Sequence, residues 1–330
     1  MSIEITIIMS AYNASSFVED CIKSIINQTF KNYEFIIVDD ASTDNTYQKI
    51  SRFTDSRIKL FRNASNKGLT ANLNFCVALA KGKYIARIDS DDICLPNRLQ
   101  TQYEFLEENT GISVVGSNAY LIDMDNCIVG ITDEAIHDKE IKTKMLITNP
   151  IIHPSTMIRK IDLLRFNYDE NFMVCQDYDL WVRMSNANRK FSNIKDPLIL
   201  YRLNYSGTTR KAKCNVKERI SLLSTIVDLS LRGNEVILDV DKIVKIISIT
   251  LNYHHENSNE ECYEAYCTIR NRDLDKYCSM ILLRFFKIEL LRKAEFRIFI
   301  YGVFHYCRYV FRIIKARLNL NYIRKYILKR

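Results

Sequence analysis

Short apolar runs alternate with amphipathic stretches through the first ninety residues. Ile3 to Met9 is a near-continuous, β-branched run, the pattern of a strand buried on both faces. A helix is expected from about Ser16, where Ser16 and Glu19 have capping-box spacing and Phe17, Val18, Cys21, Ile22, Ile25 and Ile26 form one apolar stripe. Phe35 to Val38 reads as a second buried strand and closes on Asp39-Asp40. A helix from about Thr43, a strand over Ile58 to Phe61, a helix over Leu69 to Ala80 stopped by Gly82, and a strand over Tyr84 to Ile88 follow. This βαβαβαβ order predicts an α/β fold with a mostly parallel sheet flanked by helices.

Beyond Pro96 the pattern mixes. Asn97 to Glu108 reads as helix, Ser113 to Val115 as strand, and an apolar-plus-acid segment surrounds Asp177 to Trp181. From about Asn215 the pattern turns helical, with no proline after Pro197. The expected division is residues 1–215 as one α/β domain and 216–330 as a helical region. A length of 330 residues suits two such units.

Charge sharpens that division. The net charge of +8 conceals a step: residues 276–330 carry fourteen lysines and arginines against Glu289 and Glu295, or +12, leaving −4 for the first 275. On a continuous helix Arg297, Arg308, Arg312 and Lys315 fall on one face, beside an aromatic and aliphatic one. Such a basic amphipathic region suits an anionic membrane surface. The alternative is a helical domain packed on the rest of the chain or on a second copy, a homo-oligomer. No nucleic-acid-binding module accompanies the charge, which argues against nucleic acid as a partner. No uncharged apolar run approaches the roughly 18 to 20 residues of a spanning helix. The N-terminus enters a strand pattern directly, and the ten cysteines include no C-x-x-C pair; both features predict a cytoplasmic chain with reduced, mostly buried thiols.

In sheets of this kind ligands bind at the carboxyl ends of the strands. The polar clusters fall there: Ser10 to Asn13, Asp39-Asp40, and Asp89-Ser90-Asp91-Asp92. Neither G-x-G-x-x-G nor a Walker loop is present, which demotes dinucleotide redox chemistry and P-loop phosphoryl transfer. Three carboxylates in four residues repel one another unless a cation joins them, and hard oxygen donors select Mg²⁺ or Mn²⁺.

The segments Ile7 to Asn13, Ser24 to Phe30, Ile37 to Asp44, Asn66 to Leu69, Ile85 to Asp92 and Gln176 to Trp181, in that order, resemble the family 2 glycosyltransferases of the Rossmann-like GT-A fold. The resemblance spans about residues 3 to 205 and implies inverting, metal-dependent transfer from a UDP-sugar to a hydroxyl. It implies that Ser10, Tyr12 and Asp40 hold the nucleoside, Asp40 accepting the uracil N–H. Asp91 is the expected metal ligand, Asp89 binds ribose or shares the metal, and Asp92 caps the next turn. Asp39 is expected to point away, because adjacent strand residues face opposite sides.

The resemblance also makes Asp177 the general base, the one carboxylate that a single displacement requires. Many members have Glu-Asp where this chain has Gln176-Asp177. His153, in a His-Pro-Ser segment, and Trp181 are candidates for contacting acceptor or diphosphate, each with an equal claim as core. Arg202 is a candidate diphosphate contact, and Asn204 stands where relatives often have a histidine. The expectation is therefore a peripheral enzyme at the inner face of the cytoplasmic membrane, extending a lipid-linked saccharide in surface polysaccharide synthesis such as O-antigen or capsule. A nucleotidyltransferase and a non-catalytic membrane-binding protein with a degenerate transferase domain are the alternatives.

Overall fold

The computed structural model describes residues 2–145, 149–172 and 174–203. The helical region expected over 216–330, its basic face and Asn204 lie outside the described residues. Among the described residues, no helix is long and apolar enough to cross a membrane.

The chain runs β1 (Ile5–Ala11), α1 (Val18–Ile26), β2 (Tyr33–Asp39), α2 (Thr46–Ser51), β3 (Ile58–Arg62), α3 (Leu69–Leu79), β4 (Tyr84–Arg87), β5 (Ile93–Cys94) and α4 (Arg98–Glu108). It continues through β6 (Ile112–Ile122), β7 (Ile128–Ile131), α5 (Asp138–Met145), a 3₁₀ turn (His153–Ser155), β8 (Met157–Arg159), α6 (Lys160–Phe166), α7 (Gln176–Asn186) and β9 (Lys190–Arg202). The strands form one sheet in the order β3-β2-β1-β4-β8-β6-β9-β5, with β7 paired to β6. Strands β1 to β4 pair in parallel, as expected from the alternating pattern. The second half is mixed: β8 runs antiparallel to both β4 and β6, while β6 and β9 run parallel.

Burial on both faces explains the uninterrupted apolar runs. Along β2, Ile36 and Val38 join a core with α3, α5, α6 and α7, whereas Phe35 and Ile37 join the core beneath α1, α2 and α4. The stripe of α1 is buried as patterned, through Val18, Cys21, Ile22 and Ile25. Its start differs from the capping-box expectation. Phe17 and Val18 donate their N–H groups to the Ala14 carbonyl, both at 3.0 Å, and Glu19 turns to Lys49 on α2 at 2.8 Å. A tertiary ion pair and a backbone turn thus replace the local cap. No disulfide joins the described cysteines; Cys21, Cys76 and Cys94 are buried, but Cys127 is exposed.

Candidate active site

The loops after β1, β2 and β4 meet at the carboxyl edge of the parallel strands. Asn13 (φ 51°) and Ala41 (φ 58°) both take left-handed backbone conformations there. The Asn13 side-chain oxygen accepts the Thr43 N–H at 2.9 Å, and the Ser42 hydroxyl accepts the Asn13 N–H at 3.0 Å, which stitches two of the loops together. Tyr12 stands beside them with 47% of its surface exposed, a free aromatic face for a planar group.

Asp40 is buried and anchored by three donors. Its Oδ1 accepts Asn63 Nδ2 at 2.7 Å and Lys67 N–H at 2.8 Å, and its Oδ2 accepts Gly68 N–H at 3.0 Å. Burial opposes its ionisation, but the bonds from Lys67, Asn63 and Gly68 outweigh that and hold the carboxyl below its usual range. Asn63 also bonds Asn72, whose Nδ2 donates to the Ser10 hydroxyl at 3.0 Å. Gly68 has φ 86°, the conformation that turns its N–H toward Asp40 before α3 begins. Asp39 turns away as expected and pairs with Arg62 at 3.2 Å.

After β4, Asp89, Asp91 and Asp92 bring one carboxylate oxygen each within 4.8 Å of one another. Arg87, on β4, donates Nη1 to Asp89 Oδ2 at 2.6 Å and Nη2 to Asp89 Oδ1. Asp92 is buried; its Oδ1 accepts the Arg202 N–H at 2.8 Å, while its Oδ2 has no hydrogen-bond partner among the described residues. Burial, with the charges of Asp89 and Asp91, pushes the Asp92 carboxyl well above its ordinary range. Asp92 therefore belongs to the acidic cluster and does not cap the next turn. An orphaned buried oxygen among crowded carboxylates fits a hard divalent cation.

Arg202 is a strut for this cluster. Its Nε donates to the Asp91 carbonyl at 2.8 Å, Nη1 to the Asp123 carbonyl at 2.8 Å and Nη2 to Asn126 Oδ1 at 2.6 Å. The guanidinium lies over the Phe17 ring at 4.4 Å. Three of its five N–H donors are thus spent on protein acceptors, which ties Arg202 to the acidic turn.

Asp177 enters at the start of α7, after Cys175 in a left-handed conformation (φ 60°). Asn149 Nδ2 donates to its Oδ2 at 2.7 Å. The carboxyl is densely surrounded, yet the residue keeps partial access to solvent. Burial raises its pKa; the Tyr178 N–H, the charge of Arg87 and the Asn149 amide oppose the rise without cancelling it. The positive charge of Arg87 favours the ionised form of both Asp92 and Asp177.

Two expected contacts move into the core. Trp181 is 0% exposed and packs edge-on against His153 and Phe191. His153 is buried, with Nε2 2.8 Å from the Tyr168 hydroxyl. Burial, reinforced by the nearby Arg87 charge, keeps its imidazole neutral, well below the usual histidine range. Neither side chain is available to an acceptor. Asp179 pairs with Arg183, one turn on in α7, at 2.7 Å. The site residues the motifs did not single out are Asn63, Asn72, Arg87 and Asn149. Arg87 stands inside the Ile85 to Asp92 segment, and Asn149 stands four positions before His153.

Polar loops at the strand ends, an adjoining acidic cluster and the half-buried Asp177 carboxyl form a candidate site for a group-transfer enzyme. The glycosyl transferase family 2 model matches residues 6–167. The chain is 30% identical over 303 residues to an uncharacterised glycosyltransferase of Haemophilus influenzae, covering 87% of this chain and 91% of the relative. The Escherichia coli UDP-Glc:α-D-GlcNAc-diphosphoundecaprenol β-1,3-glucosyltransferase WfgD is 33% identical over 227 residues, 68% of this chain and 87% of that one. In fold, it is similar to Staphylococcus aureus TarS 1–349 in complex with UDP-GlcNAc, with TM-score 0.57 and 16% identity over 84% of this chain and 86% of that one. The mannosyltransferase PcManGT of Pyrobaculum calidifontis, in complex with GDP-Man and Mn²⁺, is similar at TM-score 0.54 and 14% identity over 84% of each chain. The chain belongs to glycosyl transferase family 2 and has the GT-A fold.

Proposed function

We propose that the enzyme transfers a sugar, with inversion and with a divalent metal, from a UDP-sugar to a hydroxyl of a lipid-diphosphate-linked saccharide in surface polysaccharide synthesis. The observation that carries this reading is the acidic cluster at the strand ends with its orphaned Asp92 oxygen. UDP-glucose and a diphosphoundecaprenol acceptor are named for WfgD, and that relative supports both assignments here.

In this reading Tyr12 packs against the base and Ser10 adjoins the nucleoside. Asp40, fixed by Asn63, Lys67 and Gly68, accepts the uracil imide N–H. Cytosine lacks that donor, so a buried acceptor left unpaired disfavours it. Asp91 and Asp92 would hold Mn²⁺ or Mg²⁺, and Asp89, held by Arg87, adjoins the ribose or shares the ion. When bound there, such a cation would neutralise charge at the departing diphosphate. Asp177 takes the proton of the acceptor hydroxyl as its oxygen attacks the anomeric carbon on the face opposite the diphosphate. Only one base is needed, so no second carboxylate is required as acid or nucleophile. The basic region over 276–330 would hold the enzyme at an anionic membrane, where a lipid-linked acceptor resides.

The test is UDP release across a panel of UDP-sugars, with and without Mn²⁺, using a short-chain lipid-diphosphate saccharide as acceptor. Metal-dependent release from one donor, accelerated by acceptor, is expected. Pyrophosphate release from UTP and a sugar 1-phosphate, with no UDP release from any UDP-sugar, would indicate the nucleotidyltransferase alternative.

A further inference from the structure

We propose that Asn149 is the positioning residue of the general base: its side-chain amide binds Asp177 Oδ2 and so fixes the orientation in which the carboxylate meets the acceptor hydroxyl. The inference rests on the reading of Asp177 as base and extends it to a residue outside the recognised motifs.

The geometry fixes the direction of this contact. Asn149 Oδ1 accepts the Ile151 N–H at 3.2 Å, so that end of the amide is the oxygen and the end facing Asp177, at 2.7 Å, is the N–H₂ donor. A donor of this kind stabilises the ionised carboxylate and favours protonation at the other oxygen. The segment carrying Asn149 is itself held. The Pro150 carbonyl accepts Asn193 Nδ2 at 3.3 Å, and the Ile152 carbonyl accepts both the Ser155 N–H and the Ser155 hydroxyl. His153 and Pro154, the recognisable part of the segment, are buried beneath it. The His-Pro-Ser turn is thus a foundation, and Asn149 is the residue it delivers to the chemistry.

The charged and titratable groups that act on Asp177 are few. Arg87 on β4 favours its ionised form, and Tyr168, after α6, is pushed upward in turn by the Asp177 charge. The remaining help comes from the Tyr178 and Asp177 N–H groups of its own helix and from Asn149. Removing the Asn149 donor should therefore raise the midpoint at which Asp177 titrates, without disturbing the nucleotide contacts at Asp40.

The experiment compares wild type, Asn149→Ala, Asn149→Asp and Asp177→Asn as full-length chains. The carboxyl titration is followed by ¹³C NMR of [4-¹³C]aspartate-labelled protein, the Asp177 signal being the one missing from Asp177→Asn. UDP binding reports folding of each variant, and Asn149→Asp, close to isosteric, stands in if Asn149→Ala fails to fold. The expected result is an Asp177 midpoint higher by about one pH unit in Asn149→Ala and by more in Asn149→Asp. The acid limb of UDP release should move with it, kcat should fall about 10- to 100-fold, and donor KM should stay within about twofold. An inactive Asp177→Asn beside Asn149 variants with unchanged midpoint and kcat overturns the role of Asn149. An active Asp177→Asn overturns the assignment of the base instead, whatever the Asn149 variants show.

Discussion

Arg87 grips both carboxylate oxygens of Asp89 from a position only 2% exposed, at the point where β4 delivers the acidic turn. The pair fixes Asp89, and the positive charge of Arg87 favours the ionised forms of Asp92 and Asp177. Bidentate recognition of this kind needs the planar guanidinium, and a lysine supplies the charge without the fork.

Arg87→Met should consequently destabilise the fold by about 2–3 kcal/mol, the cost of breaking a buried pair reduced for the 32% exposure of the Asp89 side chain. Arg87→Lys should lose less stability but still weaken donor binding. Urea denaturation of the three proteins, with UDP binding measured alongside, checks both statements. Equal stability of Arg87→Met and wild type would remove the pair from its structural role.

Asp92 leads to the opposite sign. Its folded-state carboxyl is raised by burial and by Asp89 and Asp91, so ionised Asp92 destabilises the metal-free fold above that raised pKa. The penalty disappears as pH falls through the folded pKa toward the ordinary carboxylate range. Asp92→Asn should therefore keep or raise the metal-free Tm at pH 7 while abolishing the rise in Tm that Mn²⁺ with UDP produces. Thermal melts with and without both ligands read the two effects together.

The rate of transfer should depend on pH through Asp177. Only the ionised form accepts a proton, so the rate should climb as pH rises through a midpoint above the usual aspartate value of 3.8, then level off. Asp177→Asn should bind UDP like wild type and lose at least about 10²-fold in kcat. A kcat profile flat down to pH 4 would show that no such carboxylate limits turnover.

Trp181 tests the distinction between core and binding platform. Its complete burial against His153 and Phe191 predicts that Trp181→Ala loses about 3–5 kcal/mol of stability. Trp181→Phe should leave acceptor KM unchanged. A selective rise in acceptor KM in Trp181→Phe, without loss of stability, would restore Trp181 to the acceptor site.

Much of the fold could be read from periodicity because the parallel half of the sheet is buried on both faces, which forces continuous apolar strands such as Phe35 to Val38. The mixed half was less legible. Strand β9 contains Asn193, Lys195, Asp196 and Pro197, and its register with β6 shifts around Ser117 to Ala119, so its sequence carries no clean period. Among site residues, Asp40 and the acidic cluster announce themselves as carboxylates at strand ends. Asn63 and Asn149 do not, since an asparagine in a loop reads first as a turn former, and Asn72 sits within the apolar helix α3. Trp181 and His153 show the converse: both look chemical in sequence, and packing against Phe191 and Tyr168 consumes them. Arg202 lies beside the acidic turn, but its donors reach Asp91, Asp123 and Asn126, a destination set by tertiary contacts about 80 to 110 residues away in sequence.

The most direct measurement is calorimetric titration of UDP into wild type and Asp91→Ala, each with and without Mn²⁺. Wild type should bind UDP at least about tenfold more tightly with the metal than without it, and Asp91→Ala should lose that difference while retaining the metal-independent component held by Asp40 and Tyr12. UDP binding that is equally tight in all four titrations would contradict a metal-linked nucleotide site at the acidic cluster.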